Sequence, residues 1–422
     1  MAHPGRWTLL SVAAGIALAL IPVLRSLRSA DPAEQPVRKL APAPSAVVPQ
    51  KPPEPPEPRL EGLDPLRIEE RGERLVSPLP DDRAAELALD PVLQRTARTL
   101  LARYRMPEAG IVVSEVKTGK ILAYASFVRD DEPYDVNVRA RAPAASIFKV
   151  VTGAALVEKA GLRAETKQCY HGGRSRIVAS ELEDDPKRDN ACATLAEAMG
   201  KSINVVFARL AQKHLAPADL LAMGGALGFG APIPFPLPNE PSAINVPSEP
   251  LEFARTSAGF WNTTLSPLAG AVLAQTIASG GVMLEPRFVT GVLRGNERVW
   301  SEPPEPRVLR RAIRSTTAAE LTEMMIETVA SGSARKAFRD ERGRPYLPGI
   351  EVAGKTGTLS DHQADRHYTW FVGFAPARAP EIAVSVLVVN TPIWHIKAPG
   401  LARDMLRAHF ARRGARGVMP PS

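Results

Sequence analysis

The sequence predicts an α+β fold, an antiparallel sheet flanked by helices, and three observations predict it. Residues 352–358, 369–374 and 382–389 read as consecutive strands, the last of them apolar on both faces as in a strand covered by helices. Far upstream, residues 110–116 and 120–125 flank Lys117-Thr118-Gly119 and read as a hairpin. Helical patterns lie before and after these strands, from Asp90 to Tyr104 and over residues 401–413. No internal repeat is apparent.

The chain of 422 residues has room for one large domain or two ordinary ones, and 45% hydrophobic with 5% aromatic residues suits a globular enzyme with a helical core. Residues 7–24 are uncharged and apolar, with Arg6 before them and Arg25 and Arg28 after. That length is near the lower limit for a membrane span and long for a signal-peptide core, and no small-x-small cleavage site follows. An uncleaved signal anchor over residues 7–25 is therefore expected, with residues 1–6 as a short tail. Residues 26–62 form a proline-rich linker. Proline fixes φ and removes donors, so this stretch reads as an extended spacer. Residues 63–86 are charged, irregular and left unassigned. A single domain is expected over 87–414, with a tail over 415–422.

Within that domain Asp90 caps a helix that has Pro91 at its first position. The next landmark is residues 143–161, where a small-residue run reaches Ser146 and an apolar helix-compatible segment follows until Gly161. If Ser146 opens the helix, Lys149 lies one turn on, on the same face. A serine nucleophile with a lysine base needs that spacing. Two further Ser-x-x-Lys strings occur. Ser114 and Lys117 sit in a strand pattern that points them apart. Ser333 and Lys336 follow a helix and have a charged, exposed look. Ser202-Ile203-Asn204 lies in a helical-looking run over 195–211, and Lys355-Thr356-Gly357-Thr358 opens the strand-rich segment. Between them, residues 232–250 are proline-rich and read as a surface excursion. Helices follow, one from Pro267 through Ile277 and one over 316–329, where Leu321, Met324 and Met325 read as core.

Three motifs in this order, Ser146-x-x-Lys149, Ser202-x-Asn204 and Lys355-Thr356-Gly357, resemble those of penicillin-binding proteins and serine β-lactamases. The chain resembles the transpeptidase domain of a short monofunctional class B-like penicillin-binding protein, from about residue 87 to the C-terminal helix. The resemblance implies an all-helical subdomain beside the sheet. It also implies a D,D-transpeptidase that acts on peptidoglycan stem peptides through a serine acyl-enzyme, is a β-lactam target and uses no cofactor or metal. Ser146 would be the nucleophile, Lys149 its base and Ser202 the proton relay. Asn204, Lys355, Thr356, Gly357 and Thr358 would bind substrate, with the terminal carboxylate on Lys355, Thr356 and Thr358. The backbone N–H groups of Ser146 and Thr358 would form the oxyanion hole. Wall chemistry would place the domain outside the cytoplasmic membrane and residues 1–6 inside. Cys169 and Cys192 are the only cysteines. Outside the cytoplasm they either pair or stay buried and reduced, and similar pairs in some relatives favour a disulfide. With no room for a glycosyltransferase domain before residue 87, the chain is expected not to polymerise glycan, and partner proteins stay open.

Other classes fit less well. The net charge of +8 and pI near 9.6 come from scattered arginines, without the aromatic-interleaved basic face that nucleic acid requires. The seven histidines show no metal spacing. A serine β-lactamase of the lysine-base type, or a non-catalytic β-lactam-sensing or wall-binding module, are the alternatives.

Overall fold

The computed structural model describes residues 58–415 except 105, 130, 174 and 175. The expected anchor and nearly all of the proline-rich linker lie outside the described residues. Among the described residues no helix is long and apolar enough to cross a membrane.

The fold is α+β. Its main sheet has five strands, β1 (Glu108–Glu115), β2 (Ile121–Val128), β3 (Ala353–Asp361), β4 (Arg366–Ala375) and β5 (Ile382–Asn390). Their order is β3-β4-β5-β1-β2, antiparallel throughout. Helices among the described residues are α1 (Pro91–Tyr104), α2 (Lys149–Ala160), α3 (Leu195–Lys201), α4 (Asn204–His214), α5 (Pro217–Ala226), α6 (Pro250–Ser257), α7 (Pro267–Ala278), α8 (Ser315–Ala330) and α9 (Ala398–Ala415).

Every residue of β5 is buried, because helices cover both of its faces. On one face Val384, Val386 and Val388 pack with Leu93 and Leu101 of α1 and Leu401 and Met405 of α9. On the other, Ala383, Leu387 and Val389 join Leu268, Val272 and Leu273 of α7. Burying each Val or Leu contributes about 1.5–3 kcal/mol. Asp90 caps α1 as expected, its Oδ1 accepting from the N–H groups of Val92 and Leu93 at 3.0 Å each. The helical layer beside the sheet is built around α2, whose Val151, Ala154 and Leu156 pack with Met199, Phe207, Leu321, Met324 and Met325.

Two local readings need correction. Residues 63–86, unassigned from sequence, supply the strands Glu69–Arg71, Arg74–Leu79 and Arg83–Leu87 of a second five-stranded sheet, which Val289–Arg294 and Glu297–Ser301 complete. Arg-Ala-Ala-Glu-Leu has little intrinsic strand preference, and pairing with Val289–Arg294, far along the chain, makes it one. The run over 195–211 is not one helix. Ser202 takes the left-handed conformation at φ 57°, ends α3, and α4 starts afresh at Asn204.

Candidate active site

The chain is clamped where it reaches Ser146. Ala142–Pro143 pairs with Thr264–Leu265, the Ala144 N–H donates to Thr263 O at 3.0 Å, and the buried Trp370 Nε1–H donates to Pro143 O at 2.9 Å. Ala145 then adopts φ +48°, a left-handed conformation that L side chains rarely take. Ser146 does not open the α-helix. It lies in a single 3₁₀ turn, Ala145–Phe148, and α2 begins at Lys149. Residues three apart eclipse in a 3₁₀ turn, which sets Lys149 over Ser146 more directly than an α-turn would. Gly161 ends α2 at φ 64°, as its place in the sequence predicts.

Lys149 is fully buried. Its Nζ is 2.9 Å from Ser146 Oγ and 2.7 Å from Asn204 Oδ1, and it also bonds the Ala258 carbonyl. Burial, and then the nearby Lys355 charge, hold its pKa well below the usual lysine value. A neutral amine has two protons and one lone pair. The carbonyl oxygens of Asn204 and Ala258 accept the two protons, leaving the lone pair for the Ser146 hydroxyl. This set of neighbours is the arrangement a general base for Ser146 requires.

Lys355 on β3 is also fully buried, and burial lowers its pKa to about 7. Its Nζ donates to Ser202 Oγ at 3.0 Å and to Thr356 O at 2.7 Å. The left-handed turn at Ser202 aims that hydroxyl at β3 while Asn204, two residues on, faces Lys149. β3 is an edge strand, and it lies close to the Ser146 turn because Gly357 carries no side chain. A Cβ there would press on Trp370 and on the Ala144 carbonyl. Thr358 is exposed beside the turn. Gly259, at φ +81°, backs the other side, where a Cβ would collide with the Ala145 carbonyl.

The structure thus joins Ser146, Lys149 and Asn204 directly, and Lys355 to Ser202. Thr356, Gly357 and Thr358 continue the Lys355 strand. Cys169 and Cys192 face each other across the hairpin of Lys167–Tyr170 and Ala191–Thr194, and their sulfurs are bonded. Behind them the buried Arg209 of α4 donates to Cys169 O at 3.0 Å, Asp189 Oδ2 at 2.8 Å and Glu181 O at 2.6 Å. Its hydrogen bond holds the Asp189 carboxyl well below the usual range. The cysteine hairpin is therefore tied to the helix that begins with Asn204.

Sequence reasoning missed Ala258, which contributes only a backbone carbonyl. It also dismissed Ser333, whose hydroxyl lies 2.5 Å from Thr356 Oγ1. The available signal was Gly332, a small residue two positions past the end of a helix.

The family model described as penicillin binding protein transpeptidase domain matches residues 109–406. The peptidoglycan D,D-transpeptidase PbpA of Mycobacterium tuberculosis is 32% identical, over 67% of this chain and 62% of its own length. PbpA of Mycolicibacterium smegmatis is 31% identical, over 66% of this chain and 61% of its own length. The chain thus spans about three fifths of the length of these curated relatives. Among solved structures, the D,D-transpeptidase domain of a peptidoglycan glycosyltransferase from Eggerthella lenta superposes with a TM-score of 0.65 at 26% identity, covering 78% of this chain and 84% of that one. The imipenem acyl-enzyme complex of penicillin-binding protein A from M. tuberculosis gives 0.62 at 26% identity, covering 77% and 79%.

Proposed function

The chain belongs to the penicillin-binding protein transpeptidase family, and from that premise we propose that it is a serine D,D-transpeptidase that cross-links peptidoglycan stem peptides. The observation that carries the reading is the amine of Lys149, with two carbonyl acceptors and one hydroxyl around it.

Ser146 Oγ attacks the carbonyl between the last two D-alanines, and its proton passes to the Lys149 lone pair. The carbonyl oxygen becomes an oxyanion, held by the backbone N–H groups of Ser146 and Thr358. The C–N bond then breaks as Lys149 gives up the proton it took, which Ser202 relays to the leaving D-alanine amine. An ester on Ser146 remains. An amine from a neighbouring strand attacks it, losing a proton to Lys149, and Ser146 recovers its hydroxyl as the cross-link forms. Lys355, Thr356 and Thr358 hold the terminal carboxylate. β-Lactams enter by the same acylation. The N-terminal apolar run anchors the domain on the outer face of the cytoplasmic membrane, and the proline-rich linker holds it off the bilayer.

Labelling with fluorescent penicillin, followed by peptide mapping and a time course of label loss, tests the reading. A long-lived adduct on Ser146 is expected. An adduct on another serine overturns the site assignment, and clearance of excess penicillin within seconds gives the protein to the β-lactamases. Full-length protein found in the soluble cytoplasmic fraction refutes the anchor.

A further inference from the structure

The third Ser-x-x-Lys string does not form a second nucleophile, yet its serine reaches the site. Ser333 lies just past the C-terminus of α8, in the turn that follows Ser331 and Gly332. Its N–H donates to Gly200 O at 2.9 Å, two residues before Ser202. Gly332 lies so close to the same carbonyl that any Cβ would collide with it. On its other side the Ser333 hydroxyl meets Thr356 Oγ1 at 2.5 Å. Residue 333 is therefore held at once by the segment that carries Ser202 and by the strand that carries Lys355.

We infer that Ser333 is a positioning residue, which donates its hydroxyl proton to Thr356 Oγ1 and thereby turns the Thr356 proton toward the substrate carboxylate. A hydroxyl has one proton to give. If Thr356 donated to Ser333, it would present only lone pairs to an anion. With Ser333 as donor, the chain runs Ser333 Oγ–H to Thr356 Oγ1–H to carboxylate, and each bond polarises the next. Thr356 is buried whereas Ser333 is exposed, so fewer waters compete with Ser333 to set the Thr356 rotor. The role concerns ground-state binding of an anion and leaves proton transfer at Ser146 untouched.

The inference rests on the transpeptidase reading, and one experiment separates their failures. Intact-mass acylation by benzylpenicillin, followed against concentration, resolves the binding constant K from the acylation rate k2. Ser333→Ala should raise K roughly 3- to 10-fold, the worth of one hydrogen bond, with k2 unchanged. Ser333→Thr should restore K, and Ser333→Val, which matches threonine in shape but lacks the hydroxyl, should behave as alanine. With the methyl ester of benzylpenicillin, which presents no carboxylate, wild type and Ser333→Val should have equal K. Equal K for Ser333→Thr and Ser333→Val with benzylpenicillin overturns the inference, as does a Ser333→Ala variant that loses k2 as much as K. Wild-type protein that takes no adduct on Ser146 overturns the transpeptidase reading, and this inference with it.

Discussion

The indole of Trp370 and the carbonyl of Pro143 are joined by a buried hydrogen bond of 2.9 Å, across 227 residues of sequence. It fixes the run that delivers Ser146 to the strand neighbouring Lys355. Trp370→Phe would empty part of the core and leave the Pro143 carbonyl unpaired, at a cost of about 2–4 kcal/mol. Denaturant unfolding should show that loss, and acylation by penicillin should slow with it. Unchanged stability would mean that the bond does not hold the turn.

Lys149→Ala should lower the acylation rate by about 10²–10⁴-fold, the usual contribution of a general base, while the protein stays folded. Intact-mass kinetics at saturating penicillin read this directly. A variant acylated at the wild-type rate would remove Lys149 from the mechanism.

Burial lowers the Lys355 pKa from its ordinary value to about 7. On the proposed reading its charge attracts the carboxylate, so k2/K for penicillin should fall as pH rises through about 7. The same depression affects stability. Above about pH 7 the folded form gives up the proton that the unfolded chain keeps until 10.5. Stability should therefore rise with pH between those values, and Lys355→Met should lessen the slope. Unfolding curves at pH 7 and pH 9 provide the check.

Gly259→Ala should inactivate the protein. Its φ of +81° disfavours any side chain, and the new Cβ would press on the carbonyl of Ala145, next to Ser146. The backbone strain alone costs on the order of 1–3 kcal/mol. A variant that is labelled normally by fluorescent penicillin would show that the turn tolerates displacement.

Replacing Cys169 and Cys192 by serine opens a loop between positions 23 apart, which should cost about 3 kcal/mol on the chain-entropy model. Non-reduced peptide maps should show the two joined, and the double variant should unfold at lower denaturant.

Much of this was legible in the sequence because the chemistry sits in short strings. Ser146 with Lys149, Ser202 with Asn204, and Lys355-Thr356-Gly357 stand out only together, as three motifs in one order, since Ser114 and Ser333 share the first spacing. β5 announces itself by being apolar on both faces. What escaped depends on tertiary neighbours. Ser333 looks like surface until Gly332 brings it against Gly200. The strands over residues 69–87 carry too many charges and alanines to show a strand pattern before pairing. The 3₁₀ turn at Ser146 begins at a left-handed Ala145, which no propensity signals.

The sheet joins early and late parts of the chain, since Glu115 of β1 lies opposite Ile382 of β5 and Glu108 opposite Val389. A ribosome adding about 5–20 residues per second needs on the order of ten seconds or more to supply that partner strand. Until then the β1–β2 hairpin keeps an open apolar edge, and Ser146 has no Lys355 beside it. A chain that ends between α2 and β3 holds Ser146 and Lys149 yet lacks the strand that carries Lys355. On the proposed reading, a chain that ends before β3 should therefore take little penicillin label.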